Sequence, residues 1–105
     1  EDENILAQME EYQNILLDAN ATLEEKNDAY EALKQLNSTK SLEESLEKQI
    51  KTDFNKDAFI KIDNKKIKCI INSKDKSYKL ANQIISSIQS KFDEPKYITV
   101  TFEEN

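Results

Sequence analysis

From Glu3 to Leu36 the chain contains neither proline nor glycine, and its apolar residues return at helical spacing. Ile5, Met9, Tyr12, Leu16, Ala19 and Leu23 follow at alternating steps of four and three, and the phase runs on through Lys26 to Tyr30 and Leu33. This predicts one helix over residues 3–36. At 1.5 Å per residue it would extend about 50 Å. A domain built from the following ~65 residues would be only about 25–30 Å across. Such a domain cannot cover the helix, so its N-terminal half is expected to serve as a stalk, meet a partner or fray.

Asn37, Ser38 and Thr39 then punctuate the chain, and Ser41 stands three residues before Glu44 in the reciprocal capping pattern of a helix start. A second helix is expected from there to Phe54–Asn55, with Leu42, Leu46, Ile50 and Phe54 as a narrow apolar stripe. Ala58–Asp63 and Lys66–Asn72 read as a hairpin around Asn64–Lys65. The expected register sets Ile62 opposite Ile67, Ile60 opposite Cys69 and Ala58 opposite Ile71, which puts all six on one face. A third helix is expected from Ser77, with Leu80, Ala81, Ile84, Ile85 and Ile88 on one side, ended by Asp93-Glu94-Pro95. Tyr97–Phe102 alternates as a strand, with Ile98, Val100 and Phe102 turned inward. The fold class is therefore α+β: a long N-terminal helix, then a two-layer α-β-β-α-β domain with two helices packed on a three-stranded sheet. Residues 1–38 are expected to form an acidic helical spacer and residues 39–105 the domain.

Charge follows the same division. Residues 1–50 hold thirteen acids against four lysines, and residues 51–105 eight acids against eleven lysines, so −9 and +3 make up the net −6. With 37 % apolar and 34 % charged residues, part of the chain must be polar all round. There is no histidine, which removes the commonest general base and metal ligand. There is no glycine, which excludes phosphate loops that need positive φ or close backbone approach. Every positive charge is a lysine. The many Ile, Asn and Lys residues match the codon bias of an AT-rich genome.

Catalysis finds little support. The acids fall on solvent-facing helix positions such as Glu10, Glu11, Glu24 and Glu25, whereas catalytic carboxylates need perturbed surroundings. Cys69, the single cysteine, cannot form an internal disulfide; with no histidine to activate it, it reads as a small core residue. Asp53, Asp57 and Asp63 are too scattered for a metal site, so no metal and no cofactor is expected. No apolar run approaches a membrane-spanning length. The order helix–strand–strand–helix–strand resembles one arrangement of the KH module, but that module clamps RNA with a Gly-X-X-Gly loop, and this chain has no glycine.

The sheet's outer face is the candidate interaction surface. In the expected register Phe59, Ile70 and Tyr97 point away from the helices beside Lys61, Lys66 and Lys68, and Lys61 lies opposite Lys68. An apolar and aromatic group rimmed by lysine marks a protein contact site; the alternative is an ordinary solvated face with scattered apolar groups. Phe59, Lys61, Lys68, Ile70 and Tyr97 are the protein-binding candidates. The long helix also has two readings, a coiled coil or a spacer, and acid repulsion with the break of the stripe at Lys26 favours the spacer.

Four segments carry a family resemblance. They are Leu-Glu-Lys-Gln-Ile-Lys-Thr-Asp-Phe (46–54), Lys-Asp-Ala-Phe-Ile-Lys-Ile-Asp-Asn-Lys-Lys-Ile-Lys-Cys-Ile-Ile (56–71), Ser-Tyr-Lys-Leu-Ala-Asn-Gln-Ile-Ile (77–85) and Tyr-Ile-Thr-Val-Thr-Phe (97–102). Together they resemble the extracytoplasmic domain of the stage III sporulation protein AH family of spore-forming bacteria, over the last two thirds of the chain. The resemblance implies an N-terminal transmembrane anchor, a polar helical spacer and a ring-building domain similar to those of type III secretion and flagellar basal-body rings. It implies a mother-cell membrane protein whose outer domain meets the forespore protein SpoIIQ between the two membranes, in a channel-like complex. Where the family has a glycine before the Asp-Ala element, Asn55 stands here, and asparagine tolerates the left-handed conformation. The alternatives from the residues themselves are a KH-like RNA-binding domain and a cytosolic adaptor with a coiled-coil arm.

Overall fold

The computed structural model describes residues 3–105. Its elements are α1 (Glu3–Leu17), α2 (Leu23–Phe54), β1 (Asp57–Asp63), β2 (Lys66–Asn72), α3 (Tyr78–Gln89) and β3 (Tyr97–Glu103). The chain divides into two compact units, one ending at Ser41 and the other spanning Leu42–Asn105. Helix α2 contributes its first part to the former and its last part to the latter. The expected spacer begins with Glu1 and Asp2, which lie outside the described residues.

The helices are divided differently from the expectation. One helix over residues 3–36 is replaced by two, with the break at 18–22, and the punctuation at 37–39 does not interrupt α2 at all. The break is built from local hydrogen bonds. The Asp18 carboxylate accepts the Asn20 amide at 2.9 Å, and the Ala21 amide donates to the Asp18 carbonyl at 3.2 Å. Thr22 and Glu25 then form a capping box, the Glu25 amide donating to Thr22 Oγ1 at 3.0 Å and the Thr22 amide to Glu25 Oε1 at 2.7 Å. These two amide bonds satisfy donors that a helix start leaves without partners. Ser41 and Glu44 carry the same pattern inside α2. There, Asn37, Ser38 and Thr39 each cost at most about 0.7 kcal/mol relative to alanine, less than ending one helix and starting another.

In the first unit the break ends the stripe that the sequence carried through it. Ile5, Met9, Tyr12, Ile15 and Leu16 are half-buried, but Leu17 and Leu23 flank the break at 83 % and 82 % exposure. In α2 the covered positions shift to Lys26, Ala29, Leu33 and Leu36, with Ala29 buried at 2 % and Tyr30 exposed.

The second unit is the expected two-layer domain. The sheet has the order β1-β2-β3, with β1 antiparallel and β3 parallel to the central β2. The hairpin register is as expected: Ile62 faces Ile67, Ile60 faces Cys69 and Ala58 faces Ile71. Asn64, the first turn residue, takes φ 55°, the left-handed region that a tight hairpin requires there. Asn55, linking α2 to β1, takes φ 56°, so asparagine does fill the left-handed position. Leu46 and Ile50 of α2, Ile60, Ile67, Cys69 and Ile71 of the sheet, and Leu80, Ile84 and Ile88 of α3 form one buried cluster. Ile98, Val100 and Phe102 pack on it from β3. Each fully covered isoleucine contributes about 1.5–3 kcal/mol of burial.

Helix α3 starts where expected, with the Ser77 hydroxyl accepting the Leu80 amide at 3.2 Å. It ends at Gln89, four residues before Asp93, and the Gln89 side chain braces the connection to β3. Its amide donates to the Glu94 carbonyl and its oxygen accepts the Lys96 amide, both at 2.9 Å. On α2, Gln49 Nε2 reaches the Ser87 carbonyl and hydroxyl of α3 at 2.9 and 2.6 Å, joining the two helices of the layer.

Candidate functional site

The register lays the outer sheet face out in four rows running across β1, β2 and β3. They are Asp57–Asn72–Glu103, Phe59–Ile70–Thr101, Lys61–Lys68–Thr99 and Asp63–Lys66–Tyr97. Phe59 and Ile70 are direct neighbours, Phe59 at 49 % exposure with Ile70 half-buried. Lys61 lies directly opposite Lys68, one row further on. Tyr97 is not part of this group. Two strands and two rows separate it from Phe59, about 16 Å at ordinary sheet spacings, and it stands 73 % exposed beside Lys66. The structure thus joins four of the five candidates and sets Tyr97 apart, on the strand that borders the far edge.

The two edges of this sheet are treated differently. At the β1 edge, the Ile60 amide donates to Glu47 Oε2 at 2.9 Å and the Ile62 amide to Glu43 Oε2 at 2.8 Å. Helical residues four apart rise about 6 Å and strand residues two apart about 6.6–6.8 Å, so an antiparallel helix can present paired carboxylates to successive outward amides. The like charges at Glu43 and Glu47 cost a few tenths of a kcal/mol, which two charge-assisted hydrogen bonds outweigh. Sequence reasoning passed over these residues. The available signal was their position: both border the Leu42–Leu46–Ile50 stripe rather than lying opposite it. At the β3 edge no such carboxylate is present among the described hydrogen bonds.

The family model described as SpoIIIAH-like protein matches residues 2–100. The chain belongs to this family. Stage III sporulation protein AH of Bacillus subtilis (strain 168) is 32 % identical over 94 residues, which is 90 % of this chain and 43 % of that protein. The chain therefore spans less than half the length of that curated relative. Among solved structures, a chain in the structure of the SpoIIQ-SpoIIIAH pore forming complex matches with a TM-score of 0.82 at 29 % identity, covering 98 % of this chain and 90 % of the other. The likeness thus reaches beyond the sheet unit, on which the sequence resemblance rested, into the helical unit.

In this SpoIIIAH-like chain Cys69 is a core residue: it is fully buried, and loss of solvation, with a smaller contribution from the Glu47 charge, pushes its thiol up to about 12. Among the described residues no three of His, Cys, Asp and Glu are gathered as metal ligands would be. No described helix is long and apolar enough to cross a membrane. Carboxylates that do shift lie at helix starts. Glu25 is held below its ordinary value chiefly by the Thr22 amide, and Asp75 chiefly by the Ser77 amide. Both serve capping.

Proposed function

We propose that this chain is a non-enzymatic assembly domain that binds a SpoIIQ-type forespore protein in a sporulation channel-like complex. The observation that carries this reading is the match to a chain of the SpoIIQ-SpoIIIAH complex over nearly the whole length of this one. In this reading the domain lies between the mother-cell and forespore membranes, tethered by an anchor outside this sequence. Residues 1–38 act as an acidic spacer, and residues 39–105 do the binding and assemble into rings. Phe59 and Ile70, with Lys61 and Lys68 beside them, form one contact patch and Tyr97 a second.

The test is association of the purified chain with the SpoIIQ extracytoplasmic domain of the same organism, by sedimentation velocity. A 1:1 complex at micromolar concentration is expected, and no association at tens of micromolar contradicts the reading. Phe59→Asp is expected to weaken the complex at least tenfold while the circular-dichroism spectrum stays unchanged. An unchanged affinity removes the Phe59 patch from the interface.

A further inference from the structure

Helix α1 has two faces. Ile5, Met9, Tyr12 and Leu16 are half-buried, whereas Glu3, Leu6, Glu10, Gln13 and Leu17 recur at steps of three and four along an exposed stripe. Leu6 is 46 % exposed and Leu17 83 %. The helical rise puts about 16 Å between these two leucines, and Glu10 and Gln13 stand between them. The surroundings are purely acidic: residues 1–25 hold eight acids and no lysine.

The outer sheet face carries the converse pattern over the same length. Phe59 on β1, Lys68 on β2 one row further on, and Tyr97 on β3 one row beyond that lie on a single diagonal. At ordinary sheet spacings each step is about 8 Å, so the two aromatic residues stand about 16 Å apart. Both are exposed, as are Lys68 and the Lys66 that pairs with Tyr97. Residues 51–105 carry a net +3. An apolar pair with an acid between its members thus matches an apolar pair with a lysine between its members. The whole-chain charge of −6 does not oppose their meeting. Exposed charges are screened beyond about 8 Å at physiological ionic strength, so the charges at the contact decide.

We propose that α1 of one copy docks on the outer sheet face of a second copy, with Leu6 and Leu17 against Phe59 and Tyr97 and Glu10 against Lys68. The two surfaces differ, so the contact is head-to-tail and leaves one of each open at the ends of an assembly. The apolar anchors supply most of the affinity, and the charge pair sets the orientation. One helix face on one sheet face is a small contact, so the association is weak and salt-sensitive. It needs no other protein and goes beyond the partner reading, whose Phe59 patch lies on the same face; the test is therefore run without the partner.

Sedimentation equilibrium of the full chain, at concentrations up to about 1 mM and at low salt, is the measurement. A mass that rises with concentration is expected, with the association weakened at least tenfold at about 0.5 M salt. Leu17→Asp and Lys68→Glu are each expected to sediment as monomers with unchanged circular-dichroism spectra. An equal mixture of the two variants is expected to form pairs again, because the first keeps an intact sheet face and the second an intact α1. A parent chain that stays monomeric throughout overturns the proposal. So does association that survives either substitution or ignores salt, since the contact then lies elsewhere. A mixture that stays monomeric shows that α1 and the sheet face do not meet, and overturns it as well.

Discussion

The two units share a chain and a charged composition, yet they hold themselves together by different means. In the helical unit Ala29 is the one described residue that is buried; the rest of its apolar groups are half-covered or exposed. The sheet unit closes nine residues into a single core, five of them with no measurable exposure. Helix α2 runs through both, and its local sequence hardly distinguishes them. The difference teaches that helical propensity and capping suffice to draw a helix, while burial decides where a fold has its stability.

The largest test of that contrast is truncation of apolar side chains in each unit. Ile84→Ala or Ile71→Ala is expected to lower unfolding stability by about 2–5 kcal/mol, because each removes a fully packed side chain. Ile5→Ala, a half-buried position, is expected to cost less than about 1 kcal/mol. Urea unfolding followed by circular dichroism reads both, and equal losses would erase the distinction. Next in size, Glu43→Ala and Glu47→Ala are each expected to cost about 1–2 kcal/mol by removing a charge-assisted bond to a β1 amide. Opening that edge is also expected to increase concentration-dependent self-association in sedimentation relative to the parent chain.

Caps sharpen the comparison further. Ser77→Ala and Thr22→Ala each remove a side-chain acceptor at a helix start, worth about 1 kcal/mol. The first should lower the unfolding midpoint of the sheet unit. The second should fray the helical unit and leave that midpoint in place, as seen by amide exchange. The smallest effect is on pH. Glu25 has a folded-state value below its unfolded one, so its contribution is full above the unfolded value of about 4.5 and disappears as pH falls through the lower folded value. Helix content near α2's start should therefore decline below pH 4.5, and Glu25→Gln should remove the decline.

The sheet unit was legible because its signals agree with one another. Alternation, hairpin spacing and the Ser77 cap each point to the same packing, and a one-residue slip would have turned Ile60, Ile62 and Ile67 outward. The helix boundaries were not legible, since Thr22–Glu25 and Ser41–Glu44 are equivalent patterns and each has polar residues just before it. The heptad phase even continues across the break, although Ala19 and Leu23 there are exposed. Strand order was open because the α3 crossover can return β3 beside β2 or beside β1. The roles of Glu43 and Glu47 depend on residues 13 to 19 positions away, which no local pattern encodes. Tyr97 was grouped with Phe59 by face alone, before the third strand's register could separate them.

If the sheet unit does the binding, α1 of the acidic helical unit should be dispensable for it. Isothermal titration of the SpoIIQ extracytoplasmic domain into the full chain and into a chain lacking residues 1–17 tests this most directly. Binding is expected in both cases, with dissociation constants within about threefold. Binding by the full chain that disappears when α1 is removed would contradict it.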